Sequence, residues 1–183
     1  MQKEKIILGI DPGTNIMGFG VIKIIGSEIR MLDAGVLNMT KHKDLGIRLK
    51  IIFEKMIELI DQHLPDELAI EAQFFGQNVQ SMLKLGKAQG VAIAAALSRS
   101  IPYEEYAPKK IKMSITGGGN ASKEQVAKML SHLLKTKDIP ESLDATDALA
   151  TAICHHYQSG SITSGKKYSG WDSFVKKNPT RKR

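Results

Sequence analysis

The chain has 183 residues, 42% hydrophobic and 25% charged, with one cysteine and a formal charge of +7. That length suits one globular domain with a single well-buried core, and the lone Cys154 excludes an internal disulfide scaffold. No apolar run approaches the ~18 residues of a membrane span. The amino terminus leads from a short apolar run into an acid rather than a small-residue cleavage site, so a cytoplasmic protein without membrane attachment is expected. The charge is unevenly spread. Residues 158–183 hold seven Lys and Arg against Asp172, so this segment carries +6 of the +7 and residues 1–157 are close to neutral. Overall basicity therefore does not make the body a nucleic-acid binder, and local patches must make that case. The expected organisation is a folded domain over 1–157 followed by a basic tail over 158–183, rich in Ser, Gly and Lys and without structure.

Residues 6–10, IILGI, are an unbroken apolar run ending at Asp11, and Pro12-Gly13-Thr14-Asn15 follows as a turn. This predicts a buried strand and its exit. Phe19–Ile25 and Glu28–Leu37 are rich in β-branched and apolar residues and are separated by Gly26-Ser27, which predicts a hairpin and so a three-stranded meander. From Leu45 to Leu64 the apolar residues keep helical spacing, and Pro65 closes the amphipathic helix. Leu68-Ala69-Ile70 predicts a fourth strand, ending in Glu71. A loop over Phe74–Asn78 leads to a helix over Val79–Leu97, whose Gly86, Ala88, Gly90 and Ala92 permit close packing. A fifth strand is expected over Ile101–Tyr106, a short helix over Lys109–Ile115 and a flexible turn at Gly117-Gly118-Gly119-Asn120. Ser122 with Gln125 three positions on predicts a capping box opening a helix to about Lys135. A last helix spans roughly Ser142–Tyr157. Five strands and interspersed helices make the fold class α/β.

Two of the buried strands end in acids, Asp11 and Glu71. In open α/β sheets, sites gather beyond the carboxyl ends of strands, so these two meet if their strands are neighbours. Asp144 and Asp147, three apart, share one face of the otherwise apolar helix LDATDALATAI. Each has a plain alternative: Asp11 as a cap on the Pro12-Gly13 turn, Asp144 as a helix cap or a charge on the helix dipole. Taken together the four weigh differently. Like charges ~4 Å apart repel by ~4 kcal/mol at an effective dielectric of ~20, so four converging carboxylates call for protonation or cations. Mg²⁺ binds a few carboxylates plus phosphate oxygens, and a pair of such ions supports phosphodiester cleavage.

Lys109, Lys110, Lys112, Lys123 and Lys128, against Glu124, make 109–128 the most basic part of the body. A helix opening at Ser122 with Lys123 beside it is a place for a phosphate, and a solvated lysine face is the equal alternative. GGGNASK lacks the GK[ST] ending of a nucleotide-binding loop. Phe74 and Phe75 follow Glu71 in a loop, where an aromatic can stack on an unpaired base; core packing is the favoured reading for Phe75. His155 and His156 lack the spacing of a metal site, so a surface role at the helix end is expected.

GIDPGT at 9–14, AIE at 69–71 followed by Phe74 and Asn78, LKLGKAQG at 83–90, GGGNASK at 117–123 and DATDALATAI at 144–153 occur in order. Together, over about residues 4–157, they resemble the RuvC family, the crossover junction endodeoxyribonucleases that resolve Holliday junctions. The resemblance implies an RNase H-like fold with a mixed five-stranded sheet flanked by helices. It also implies a homodimer making paired, symmetric nicks and acting beside the RuvA and RuvB branch-migration proteins on four-way junction DNA. Asp11, Glu71, Asp144 and Asp147 match the family's catalytic metal-binding acids, which hold two Mg²⁺ ions, with Mn²⁺ as a substitute. Phe74 is similar to its base-contacting aromatic, and Lys112 and Lys123 to its lysines near DNA phosphate. Ala72 departs from the polar residue that many members carry there. An actin-like ATPase or sugar kinase, suggested by Asp11-Pro12-Gly13-Thr14, needs a second lobe that this length does not supply. A non-catalytic junction binder fits poorly with four retained acids. The remaining alternative is an RNase H-like nuclease acting on another nucleic acid, such as a structured ribosomal RNA precursor, and the Phe74 loop and GGGNASK favour the junction.

Overall fold

The computed structural model describes residues 4–73 and 78–161. The chain order is β1 (Glu4–Asp11), β2 (Ile16–Ile25), β3 (Glu28–Asn38), α1 (Leu45–His63), β4 (Glu67–Glu71), α2 (Val79–Ser98), β5 (Tyr103–Tyr106), α3 (Pro108–Thr116), α4 (Lys123–Leu133) and α5 (Leu143–Ser161). Each element follows the hydrophobic patterning. The differences lie at the ends: β2 begins at Ile16, because pairing with Asn38 of β3 extends the hairpin, β5 begins two residues later than expected, and α5 runs four residues past Tyr157.

The five strands form one mixed sheet in the order β3-β2-β1-β4-β5. β1 and β2 pair antiparallel, as do β2 and β3, whereas β1 with β4 and β4 with β5 pair parallel. Helices cover both faces. Leu8, Ile10, Leu68 and Ile70 join one core with residues of α1 and α2, such as Ile52, Met56, Ala92 and Ala95. Ile7, Ile22 and Ala69 join the other with Ile111 of α3, Leu130 of α4 and Ile153 of α5. This is the RNase H-like layering of a mixed sheet between helices. Helix ends follow local chemistry. Asp44 caps α1 by accepting from the Ile47 amide at 2.9 Å. Ser122 and Gln125 close the predicted capping box around α4, and Gly117 ends α3 in the left-handed region, at φ 74°.

Since β1, β3, β4 and β5 all run the same way, the segments that follow Asp11, Asn38, Glu71 and Tyr106 emerge along one edge of the sheet. No helix among the described residues is long and apolar enough to cross a membrane.

Candidate active site

β1 and β4 are parallel neighbours with Ile10 paired to Ile70, so the next residues, Asp11 and Glu71, stand side by side at two strand ends. Strand alternation sets which way they face. Ile7 and Ala69 point to the α5 side, while Leu8, Ile10, Leu68 and Ile70 point to the α1 side. By parity Asp11 and Glu71 both face α5.

Glycines let that helix lie close. A methyl group added at Gly9 would collide with the Ala148 carbonyl, one at Gly18 with the Asp144 carbonyl, and one at Gly20 with the Leu149 side chain. Gly9 pairs with Gly20, and Gly18 with Asp11, so the three form a shallow track across β1 and β2. The amino-terminal turns of α5 settle into it and bring Asp147 and Asp144 to Asp11.

The result is a cavity of about 300 Å³ lined by Asp11, Glu71, Asp147, Lys112 and Lys123, with Pro108, Ile111, Val126 and Ala150 as its apolar wall. Lys123 Nζ donates to Asp147 Oδ2 at 2.6 Å. Burial, then the charges of Glu71, Asp147 and Asp144, push the Asp11 carboxyl from its ordinary 3.8 up to about 8, with partial relief from Lys123. Burial and Asp147 push Glu71 from 4.5 up to about 7 against Lys123 and Lys112. Burial works against the charge of Lys123, yet Asp147, Asp11 and Asp144 outweigh it and hold its ammonium above the usual lysine range. Asp144 does not line the cavity itself; its charge is felt at Asp11.

Three carboxylates and two lysines thus share one small space, and the negative charge is not fully relieved. As the side chains stand, no three acidic, histidine or cysteine side chains among the described residues converge closely enough to grip one ion. Lys123 already neutralises Asp147, and the remaining acids repel one another. The donor set still fits a hard divalent cation. Mg²⁺ takes one or two carboxylates, keeps several waters and completes its sphere with substrate phosphate, which suits separated carboxylates opening on a cavity. A larger cavity, about 520 Å³, lies on the α3–α4 connection. Its lining, including Asn120, Gln125, Lys128 and His132, contains no carboxylate.

Of the residues singled out in the sequence, Asp11, Glu71, Asp147, Lys112 and Lys123 come together, and Asp144 adjoins them. Phe74 and Phe75 lie outside the described residues. The start of α4 is less open to a phosphate than expected, since its capping box engages the Ser122 and Gln125 amides. His155 corrects the surface role expected of it. It is 4% exposed, hydrogen-bonded through Nδ1 to the Tyr106 hydroxyl at 2.8 Å and through Nε2 to Glu67. Glu67 also pairs with Lys5 at 2.7 Å. The residue lies on the sheet-facing side of α5, and its polar ring is accommodated because β4 and β5 supply both partners. None of these pairings is visible in the sequence, because each joins residues dozens of positions apart.

The family model described as crossover junction endodeoxyribonuclease RuvC matches residues 7–155. The chain is 60% identical over 181 residues to a crossover junction endodeoxyribonuclease RuvC of Christiangramia forsetii, covering 99% of this chain and 94% of that protein. It is 58% identical over 181 residues to the RuvC of Bacteroides fragilis, covering 98% and 96%. Among solved structures, T. thermophilus RuvC in complex with Holliday junction substrate superposes with a TM-score of 0.81 at 31% identity, covering 87% of this chain and 97% of that one.

Proposed function

The chain belongs to the RuvC family of crossover junction endodeoxyribonucleases, and on that premise we propose that it resolves four-way (Holliday) DNA junctions by paired, symmetric nicks from the Asp11, Glu71, Asp144 and Asp147 site. It is a metal-dependent hydrolase of phosphodiester bonds. The observation that carries the proposal is the single cavity where Asp11, Glu71 and Asp147 meet Lys112 and Lys123.

The four acids would hold two Mg²⁺ ions, with Mn²⁺ as a substitute. When bound, such ions supply Lewis acidity that activates water and neutralises charge building on the phosphate. The rest is the work of side chains. Asp11 and Glu71 sit on the ends of two hydrogen-bonded strands, which holds their carboxylates in fixed positions. Asp144 and Asp147 are held by α5, itself seated on the glycine track. Lys123 balances Asp147 in the structure and is placed to offer its ammonium to a phosphate oxygen. Lys112, on the α3 side of the cavity, adds a second cation for the strand being cut. Phe74 would contact a base near the junction point.

A homodimer belongs to the same proposal, since two symmetric cuts need two related sites. The outer face of α2 supports it. Val79, Leu83 and Leu97 are exposed there, and Gly86 and Gly90 have open space above them, an apolar face able to take a second copy closely. Action beside RuvA and RuvB, a cytoplasmic location and added DNA affinity from the basic tail complete it.

The test is strand-specific cutting of a mobile four-way junction beside duplex DNA and structured RNA, with Mg²⁺, with Mn²⁺ and with chelator. Paired nicks in the junction alone, and only with metal, are expected. Metal-dependent cutting of the RNA instead would overturn the substrate.

A further inference from the structure

Arg48 lies in the first turns of α1 and is half-buried. Its Nη1 donates to the Thr14 carbonyl at 3.1 Å and to the Asn15 side-chain oxygen, and its Nε donates to the His42 carbonyl. The same turn is tied from the other side by the Met39 amide, which donates to the Asn15 carbonyl at 2.7 Å. One arginine thus joins the turn after Asp11 to the 39–44 connection after β3. All its acceptors are neutral, and among the described residues no carboxylate lies within ion-pair distance of it. A guanidinium has five N–H donors; three are engaged here, and those on Nη2 have no acceptor among the described residues.

The surroundings add charge of the same sign. Lys41 and Lys43 are exposed and lie just before the Asp44 cap of α1. The local acid is Asp44, whose carboxylate is engaged in capping α1. Topology places this group at the working edge of the sheet. β3 ends at Asn38, at the same edge as Asp11, and lies two strands from β1, about 10 Å away at ~4.8 Å per strand. Lys112 of α3 and Lys123 of α4 line the cavity together with the acids.

We propose that Arg48, Lys41 and Lys43 form a second phosphate-binding patch, which holds the backbone of the substrate DNA on the β3 side of the acids. The proposal rests on the nuclease assignment above and adds to it where the strand lies. About 10 Å corresponds to roughly three nucleotides of a stacked strand at ~3.4 Å each. A backbone that places a phosphate at Asp11 therefore has others within reach of the patch. A guanidinium with a free edge suits phosphate through its planar fork, and the two lysines act as point charges.

The experiment is junction binding across a salt series, in chelator so that no cutting occurs, for the unaltered protein, Arg48→Gln and the double variant Lys41→Gln/Lys43→Gln, each with its melting curve. Every lost phosphate contact flattens the slope of log K against log salt by about 0.9. The double variant, whose lysines are exposed, is expected to melt like the unaltered protein and to flatten the slope by about 1.8. Arg48→Gln is expected to flatten it by about 0.9 and to melt lower, since three hydrogen bonds go with it. If the folded double variant keeps the unaltered slope, the patch does not bind phosphate, whatever Arg48→Gln does. The same slopes measured on duplex DNA keep the two proposals separable: an unaltered protein with no preference for the junction would overturn the substrate assignment and still leave the patch tested.

Discussion

At the scale of single residues, the site is a problem of charge. Asp147 is the carboxylate most directly offset, by Lys123, and it also raises Asp11 and Glu71. Replacing Asp147 with Asn keeps its size and removes one of the oxygen donors. Cutting is expected to fall by more than ~100-fold, the upper end of what loss of a metal ligand's supporting partner costs, while junction binding in chelator survives. A folded Asp147→Asn protein cutting at a near-normal rate would remove Asp147 from the site. Asp11 gives the converse prediction for stability. Its carboxylate is buried among three other acids, so without metal its charge opposes folding. In chelator at neutral pH, Asp11→Asn is expected to melt higher than the unaltered protein, by ~2–4 °C for each kcal/mol relieved at this chain length. Added Mg²⁺ should raise the melting temperature of the unaltered protein more than that of Asp11→Asn, and equal responses would argue against Asp11 as a ligand.

At the scale of elements, α5 serves as the ruler of the site. Its Asp144 end lies over Gly18, its middle over Gly9 and its His155 over Glu67, so it runs opposite to β1 and β4. From Asp147 to His155 the helix rises ~12 Å at ~1.5 Å per residue. From Glu71 back to Glu67 the strand covers ~13 Å at ~3.3 Å per residue. The two lengths agree, so the Glu67–His155–Tyr106 bonds at one end keep Asp147 level with Glu71 at the other. Gly18→Ala would force the Asp144 backbone away from the sheet. It is expected to cost ~1–3 kcal/mol, the usual range for overpacking, and to lower cutting, as melting curves and junction assays would show. Glu67 supplies the pH dependence. Burial raises its carboxyl, but Lys5 and His155 outweigh that and hold it below its ordinary 4.5. A depressed carboxylate adds stability above its unfolded value and loses it as pH falls through the folded one. The melting difference between the unaltered protein and Glu67→Gln is therefore expected to be present at pH 7 and to fade below 4.5. A difference that grew on acidification would contradict the pairing.

At the scale of the whole molecule, the paired nicks proposed above need two sites acting together. The exposed apolar face of α2 is the surface offered for that, and Leu83, which is 56% exposed, lies within it. Leu83→Glu would place a charge on this face without touching either core. It is expected to shift the protein from dimer to monomer in sedimentation at micromolar concentration, with its melting curve still cooperative. A dimer that persisted unchanged would place the interface elsewhere.

Much of this is legible in the sequence because it is local. Short apolar runs mark β1 and β4, helical spacing marks α1, and the capping box at Ser122 and Gln125 is written in four residues. Acids that end two apolar runs, and a pair three apart on one helix, are enough to mark Asp11, Glu71, Asp144 and Asp147 from the chain alone. What only the tertiary structure decided is non-local. That Asp11 and Glu71 face α5 follows from strand order and parity. That Lys123 neutralises Asp147, that His155 is buried between β4 and β5, and that Arg48 grips the turn after Asp11 all depend on how helices seat on the sheet. That seating is set by close approaches such as Gly9 to Ala148 and Gly18 to Asp144, and such contacts join residues too far apart in the chain for any local pattern to encode them.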